Sequence, residues 1–306
     1  MRRGFTIVEL VVVLLVALVL AAFLLSALGK PRINNRHPKD YTQIRGLAPS
    51  MVVWANNHNG EYPLPSAIDI TDSTVAEKGR GKDTTANIFS TLIFNGFISP
   101  EISISPAEAN TSGLQRDEDY VYNAPPTAID PANALWDPAF SADFTNGNIS
   151  NFSYAHLQSS GTRGVSGAKP TGRLLKWRDT FDPGEAILSN RSPELSAVNL
   201  AGKPTSESSY SPVIKNPASN TFLIHGGRST WEGYIAFNDG HVEFITSLKP
   251  FKPSGAKATP TYSTAAGPRL DAIFFDEPDD AAQANTFLGI FTTAGEKPED
   301  FKAIWD

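Results

Sequence analysis

Nothing in this chain limits its fold more than the stretch from Phe5 to Leu28, which is apolar at nearly every position. As a helix rising about 1.5 Å per residue, that stretch is long enough to span a hydrocarbon core of about 30 Å. Arg2 and Arg3 stand directly ahead of it, so the positive-inside tendency predicts a cytoplasmic N-terminus and an exported remainder. Gly29 and Pro31, beside Lys30 and Arg32, mark its outer end.

One residue breaks the pattern. Glu9 lies inside the apolar run, where a carboxylate at the bilayer centre costs roughly 2.5 kcal/mol or more, and less towards the interface. A charge kept there needs a cation. A cut between Gly4 and Phe5 would supply one, because the new α-amino group of Phe5 sits four residues from Glu9 in the same helix. The amine of a neighbouring subunit could also reach it. That second pairing would set the axial register between subunits, as buried polar groups do in other apolar helix assemblies.

The segment Arg3-Gly4-Phe5-Thr6-Ile7-Val8-Glu9-Leu10 resembles the cleavage and methylation motif of type IV prepilins and of the pseudopilins of type II secretion. The resemblance implies that Gly4 precedes the bond cut by a membrane aspartyl prepilin peptidase. It implies equally that Phe5 becomes the N-methylated first residue and that Glu9 is the assembly glutamate. An ordinary secretory signal cut after Gly29 is the competing reading, as is an uncleaved signal anchor. The first requires an apolar run longer than the usual 7–15 residues, and neither explains Glu9.

Beyond the anchor, Tyr41, Ile44, Leu47, Ala48, Met51, Val52 and Ala55 recur at helical spacing and predict an amphipathic helix. Asp40 is placed to cap its N-terminus, and Pro49 to kink or divide it. Lys30-Pro31 and Pro38 are expected to break its continuity with the anchor. The turn Asn56-Asn57-His58-Asn59-Gly60 ends it, and the run on to Tyr62-Pro63 resembles the pseudopilin pattern. Ala86–Phe97, closing on Asn95-Gly96, reads as a short helix. Phe152–Ala155, Glu185–Ser189 and Thr221–Ile224 read as strands, and Tyr234–Phe237 with His241–Ile245 as a hairpin turned at Asn238-Asp239-Gly240.

The expected fold is therefore α+β and pilin-like: a long N-terminal membrane-spanning helix, continued by an amphipathic helix packed on an antiparallel sheet, with long loops. Its parts would be a leader over 1–4, a transmembrane and filament-core helix over 5–29, a linker and amphipathic helix over 30–60, and an extracytoplasmic globular domain over 61–306.

Charge and chemistry narrow the function further. Lys and Arg number 26 against 32 Asp and Glu. Losing Arg2 and Arg3 with a leader leaves 24 − 32 = −8, a surface that repels nucleic acid. There is no cysteine, hence no disulfide or thiolate metal site. Ala236-Phe237-Asn238-Asp239-Gly240-His241-Val242 resembles a signature of prepilin-like proteins in which an upstream histidine, here His225, precedes Asp-Gly-His-Val. The separation of His225 from Asp239 exceeds that of the pattern. A structural role for His225, Asp239, Gly240 and His241 is the expectation, since no G-x-S-x-G or H-E-x-x-H segment accompanies them. Asp276-Glu277-Pro278-Asp279-Asp280 lacks the spacing of a calcium loop and reads as a solvated acidic turn. Most of the five tryptophans read as core or partly buried rather than as a carbohydrate platform.

No enzyme, cofactor or metal is expected. The expected function is that of a structural subunit of a type IV pilus-like or type II secretion pseudopilus filament, seated single-pass in the inner membrane with its C-terminal domain periplasmic or at the cell surface. Its partners would be the membrane, the prepilin peptidase and other pilin or pseudopilin subunits, with no nucleic acid. A membrane-anchored or Sec-secreted binding protein that does not polymerise is the alternative. The sequence does not separate pilus, pseudopilus and minor subunit, although a globular part larger than is usual for a major pilin tilts the expectation towards a pseudopilin-like or minor component.

Overall fold

The computed structural model describes residues 13–16, 31–164 and 168–306. The chain divides into two units, Met1–Lys39 and Asp40–Asp306. Gly4, Phe5 and Glu9 lie outside the described residues, as does most of the apolar run that contains them.

Helix α1 (Pro31–Asn56) passes into the second unit. There it lays Ile44, Leu47, Ala48, Met51, Trp54 and Ala55 into the core. It is a single element across Pro38 and Pro49, where the sequence predicts breaks. An interior proline costs about 3 kcal/mol through its missing N–H and its clash with the preceding turn. Fully burying a residue such as Leu47 or Met51 returns about 1.5–3 kcal/mol each, so the buried stripe outweighs the lost bond at Pro49. Asp40 is therefore inside the helix rather than at its N-cap.

Two more helices follow, α2 (Pro65–Ile68) and α3 (Thr85–Phe94). Thr84 caps α3 by accepting from the Asn87 amide at 3.3 Å. Asn95 ends it, and Gly96 leaves at φ +74°.

The strands are short: β1 (Tyr154–Leu157), β2 (Ala186–Asn190), β3 (Leu195–Leu200), β4 (Tyr210–Ile214), β5 (Gly233–Phe237), β6 (Val242–Ile245), β7 (Thr261–Thr264), β8 (Gly267–Leu270), β9 (Leu288–Gly289), β10 (Phe291–Thr293) and β11 (Lys302–Ala303). An antiparallel five-stranded sheet runs in the order β6-β5-β2-β1-β9. Its central strands β2 and β1 are buried along their whole length. The pairs β3-β4, β7-β8 and β10-β11 stand as separate two-stranded sheets. Ile187, Leu188 and Ile235 from the large sheet share one apolar cluster with the α1 stripe and with Ile88, Phe89 and Leu92 of α3.

This corrects the expected pilin-like fold. The described residues form mostly small antiparallel sheets with few helices, and no helix among them is long and apolar enough to cross a membrane. The composition explains why no larger sheet forms among the described residues. With 23 prolines and 23 glycines spread along the chain, strands end within a few residues, since proline withholds a ladder donor and glycine leaves nothing to pack. A second correction concerns Thr221–Ile224, expected as a strand. Asn220–Leu223 is a 3₁₀ turn, with the Ser219 side chain accepting from the Thr221 amide.

Candidate functional site

The motif 238–241 closes the hairpin between β5 and β6. The Phe237 amide donates to the His241 carbonyl at 3.0 Å, and the Gly240 amide to the Phe237 carbonyl at 2.9 Å. Gly240 sits at φ +85°, a conformation that a Cβ disfavours. Asp239 Oδ1 accepts from the His241 amide at 3.1 Å and contacts its Nδ1. The imidazole lies flat on the Phe237 ring, 4.5 Å between centroids, with its Nε2 3.6 Å from Glu243 Oε1. Asp239, Gly240 and His241 thus build and fasten a turn.

The most buried member of the run is Asn238, which the sequence marks only as a turn residue. Its Oδ1 accepts from the Tyr62 hydroxyl, while its Nδ2 donates to the Lys176 carbonyl and to Glu185 Oε2, each at 2.9 Å. Burial, then the charges of Asp179 and Glu185, push the Tyr62 phenol well above its ordinary range. Burial likewise raises the Glu185 carboxyl.

His225 is not brought to this turn. Its Nε2 lies 2.7 Å from Asp40 Oδ2, and its ring stands edge-on to Tyr234 at 5.2 Å and Phe244 at 5.8 Å. The Asp40 carboxylate is an acceptor hub, with its side chain and that of His225 fully buried. Its Oδ2 also accepts from Asn190 Nδ2 at 2.8 Å. Its Oδ1 accepts from the Tyr154 hydroxyl at 2.8 Å and from Ser105 Oγ at 2.5 Å. Asn190 passes the connection on, its Oδ1 accepting from the Tyr234 amide at 2.7 Å. One carboxylate therefore joins α1, β1, β2, the loop at Ser105 and the loop at His225. Burial, then the Asp40 charge, hold the Tyr154 phenol far above its usual range.

A hydrolytic triad needs the serine bonded to the histidine and the histidine to the acid. Here Ser105 donates directly to Asp40, so the hydroxyl is held by the acid and not by the histidine. The node is built to hold elements together. A signal for it did exist in the sequence: Asp40 falls four residues before Ile44 on the stripe that enters the core.

The remaining candidates resolve into structure. Among the described residues no group of three or more His, Asp or Glu is arranged to hold a metal ion. The acidic run 276–280 is not a solvated turn. Asp276 pairs with the buried Arg173, Glu277 accepts from the Ala272 amide at 2.8 Å, and Asp279 meets Arg269 at 2.7 Å. Asp280 accepts from the amides of Ala282, Ala284 and Asn285. Burial and the neighbouring Asp271 push the Glu277 carboxyl well up. Trp54, Trp136, Trp177 and Trp231 are buried and offer no surface to a sugar. His156 is a core histidine: the Phe291 amide donates to Thr85 Oγ1 at 2.7 Å, whose hydroxyl lies 2.8 Å from Nε2, while Nδ1 faces the Leu157 carbonyl at 2.8 Å.

No family model matches the chain, and neither a curated protein nor a solved structure matches it.

Proposed function

We propose that this chain is a structural subunit of an extracytoplasmic filament of the type IV pilus or type II secretion kind, held in the inner membrane before assembly. The observation that carries the reading is Glu9, a carboxylate inside the apolar run and fifth in a chain that begins at Phe5. Prepilin peptidase cuts after Gly4, Phe5 is N-methylated, and Glu9 pairs with the amine of a neighbouring subunit as the Phe5–Leu28 segments leave lipid for one another. The part from Asp40 onwards lies in the periplasm or at the cell surface. The filament and the membrane are its partners, nucleic acid is not, and no catalytic step belongs to the reading.

The Asp40 node supports it. A subunit anchored through its N-terminus receives tension where the chain enters the compact unit. The first residue of that unit is the carboxylate fastened to Tyr154, Ser105, Asn190 and His225. A second reading, a membrane-anchored or Sec-secreted binding protein that does not polymerise, is favoured by an open polar cavity between residues 176–185 and 255–261.

Mass spectrometry of the native N-terminus tests the proposal. A chain starting at N-methylated Phe5 is expected, together with loss of filaments but intact membrane insertion in Glu9→Ala. A mature chain starting at Lys30, or one retaining Met1–Gly4, overturns it.

A further inference from the structure

The cavity just mentioned encloses about 580 Å³, within the range of small-molecule sites. One wall is the segment from Thr180 to Glu185, the other the segment from Gly255 to Ala258, which includes Lys257. Two features of the first wall are not explained by packing.

Phe181 is 61% exposed. Among the described residues it is the most exposed phenylalanine, and it occupies φ +57°. A bulky side chain at positive φ is strained, and glycine is the usual residue there. The turn that imposes this conformation is tied down on both sides. Thr180 Oγ1 accepts from the Asp182 amide at 3.3 Å, and Asp182 Oδ1 from the Gly184 amide at 2.8 Å. Strain and an aromatic ring are thus retained at the edge of a cavity.

Glu185 is the second feature. Its Oε2 is fixed by Asn238 Nδ2 at 2.9 Å and by the Thr180 hydroxyl, whereas no donor among the described residues reaches Oε1. Burial raises the carboxyl. Asn238, fixed in turn by Tyr62 and the Lys176 carbonyl, is the positioning residue behind it. This gives the Asn238-Asp239-Gly240-His241 run a purpose beyond turning the hairpin.

The charges narrow the ligand class. Asp182 and Glu185 would repel an anion, and Lys176 and Lys257 a cation. Lys176 is moreover tied to Thr286 Oγ1 at 3.1 Å and to Asp271 at 3.5 Å. A lipid chain would meet charge on both walls. What fits is a neutral molecule with an apolar face to lie on an aromatic ring and hydroxyls to give to a carboxylate. We propose that this cavity is a saccharide-binding site, with Phe181 as the stacking platform and Glu185 as the hydroxyl acceptor. The proposal is independent of filament assembly.

The test is saturation-transfer NMR of the full chain, in a detergent without a sugar headgroup, against maltose, cellobiose, lactose and diacetylchitobiose. Transfer to at least one sugar is expected. Glu185→Gln should weaken that binding at least tenfold, and Phe181→Trp should retain it. Phe181→Gly should abolish it while leaving the melting temperature unchanged or higher, since glycine accepts the positive φ; a merely structural Phe181 would not separate the two readouts. Absence of transfer to all four sugars, or full binding by Phe181→Gly, overturns the proposal.

Discussion

Replacing Asp40 by alanine removes the acceptor through which α1 is joined to four other parts of the unit, and the loss can be bounded from the geometry. The change strands the Ser105 hydroxyl and Asn190 Nδ2, held at 2.5 and 2.8 Å in the native protein. It also takes one contact each from His225 Nε2 and from the Tyr154 hydroxyl, which keeps Gln43 Oε1 at 3.1 Å. Each buried polar group left unsatisfied costs about 1–3 kcal/mol. These do not add, because the vacated space lets some of the stranded groups pair with one another; a net loss of about 4 kcal/mol is expected. Urea unfolding of a chain starting at Pro31, which keeps all of α1, is the assay. With a slope of about 2.5 kcal/mol/M, the midpoint should fall by about 1.6 M without a change in slope. Asp40→Asn keeps one oxygen for Tyr154 and Ser105 and turns a donor towards Asn190, so about half that loss is expected. A loss under about 1 kcal/mol for Asp40→Ala would refute the argument, since it would mean these donors are satisfied without the carboxylate.

The core histidine makes a pH prediction. Burial lowers the His156 pKa from 6.5 to about 4, so the unfolded chain binds a proton that the folded chain refuses. Stability should therefore fall as pH drops from about 6.5 to about 4, by about 3 kcal/mol in all, and His156→Gln should remove that part of the slope in a pH series of urea melts. Two glycines at positive φ should differ in their tolerance of alanine. A Cβ at Gly240 meets nothing within 4 Å, so Gly240→Ala should cost only the backbone strain of about 1–2 kcal/mol. A Cβ at Gly161 would lie 2.0 Å from the Thr171 carbonyl oxygen, and Gly161→Ala should lower the melting temperature by clearly more. Trp136→Phe, which keeps an aromatic ring but strands Asn87 Oδ1, now 3.0 Å from the indole nitrogen, should cost at least about 1–3 kcal/mol in the same melts.

Local signals carried several elements by themselves. The alternation over Tyr234–Ile245 around Asn238-Asp239-Gly240 marks the hairpin, because a period of two and a glycine at positive φ are properties of neighbouring residues alone. The spacing of Ile88, Phe89, Leu92 and Ile93 before Asn95-Gly96 marks α3 for the same reason. The stripe from Ile44 to Ala55 is legible too, as is the odd carboxylate at Glu9 from which the filament reading comes. Tertiary structure alone decided where buried polar groups find partners. His225 meets an aspartate 185 residues away instead of the turn it precedes, and Asp40 leaves its expected cap to become the acceptor of that pair. Arg173 draws Asp276 out of what reads as a solvated acidic loop. Periodicity reports which face of an element is apolar, whereas the partner of a buried charge is chosen among distant residues by desolvation, which appears only once the layers close.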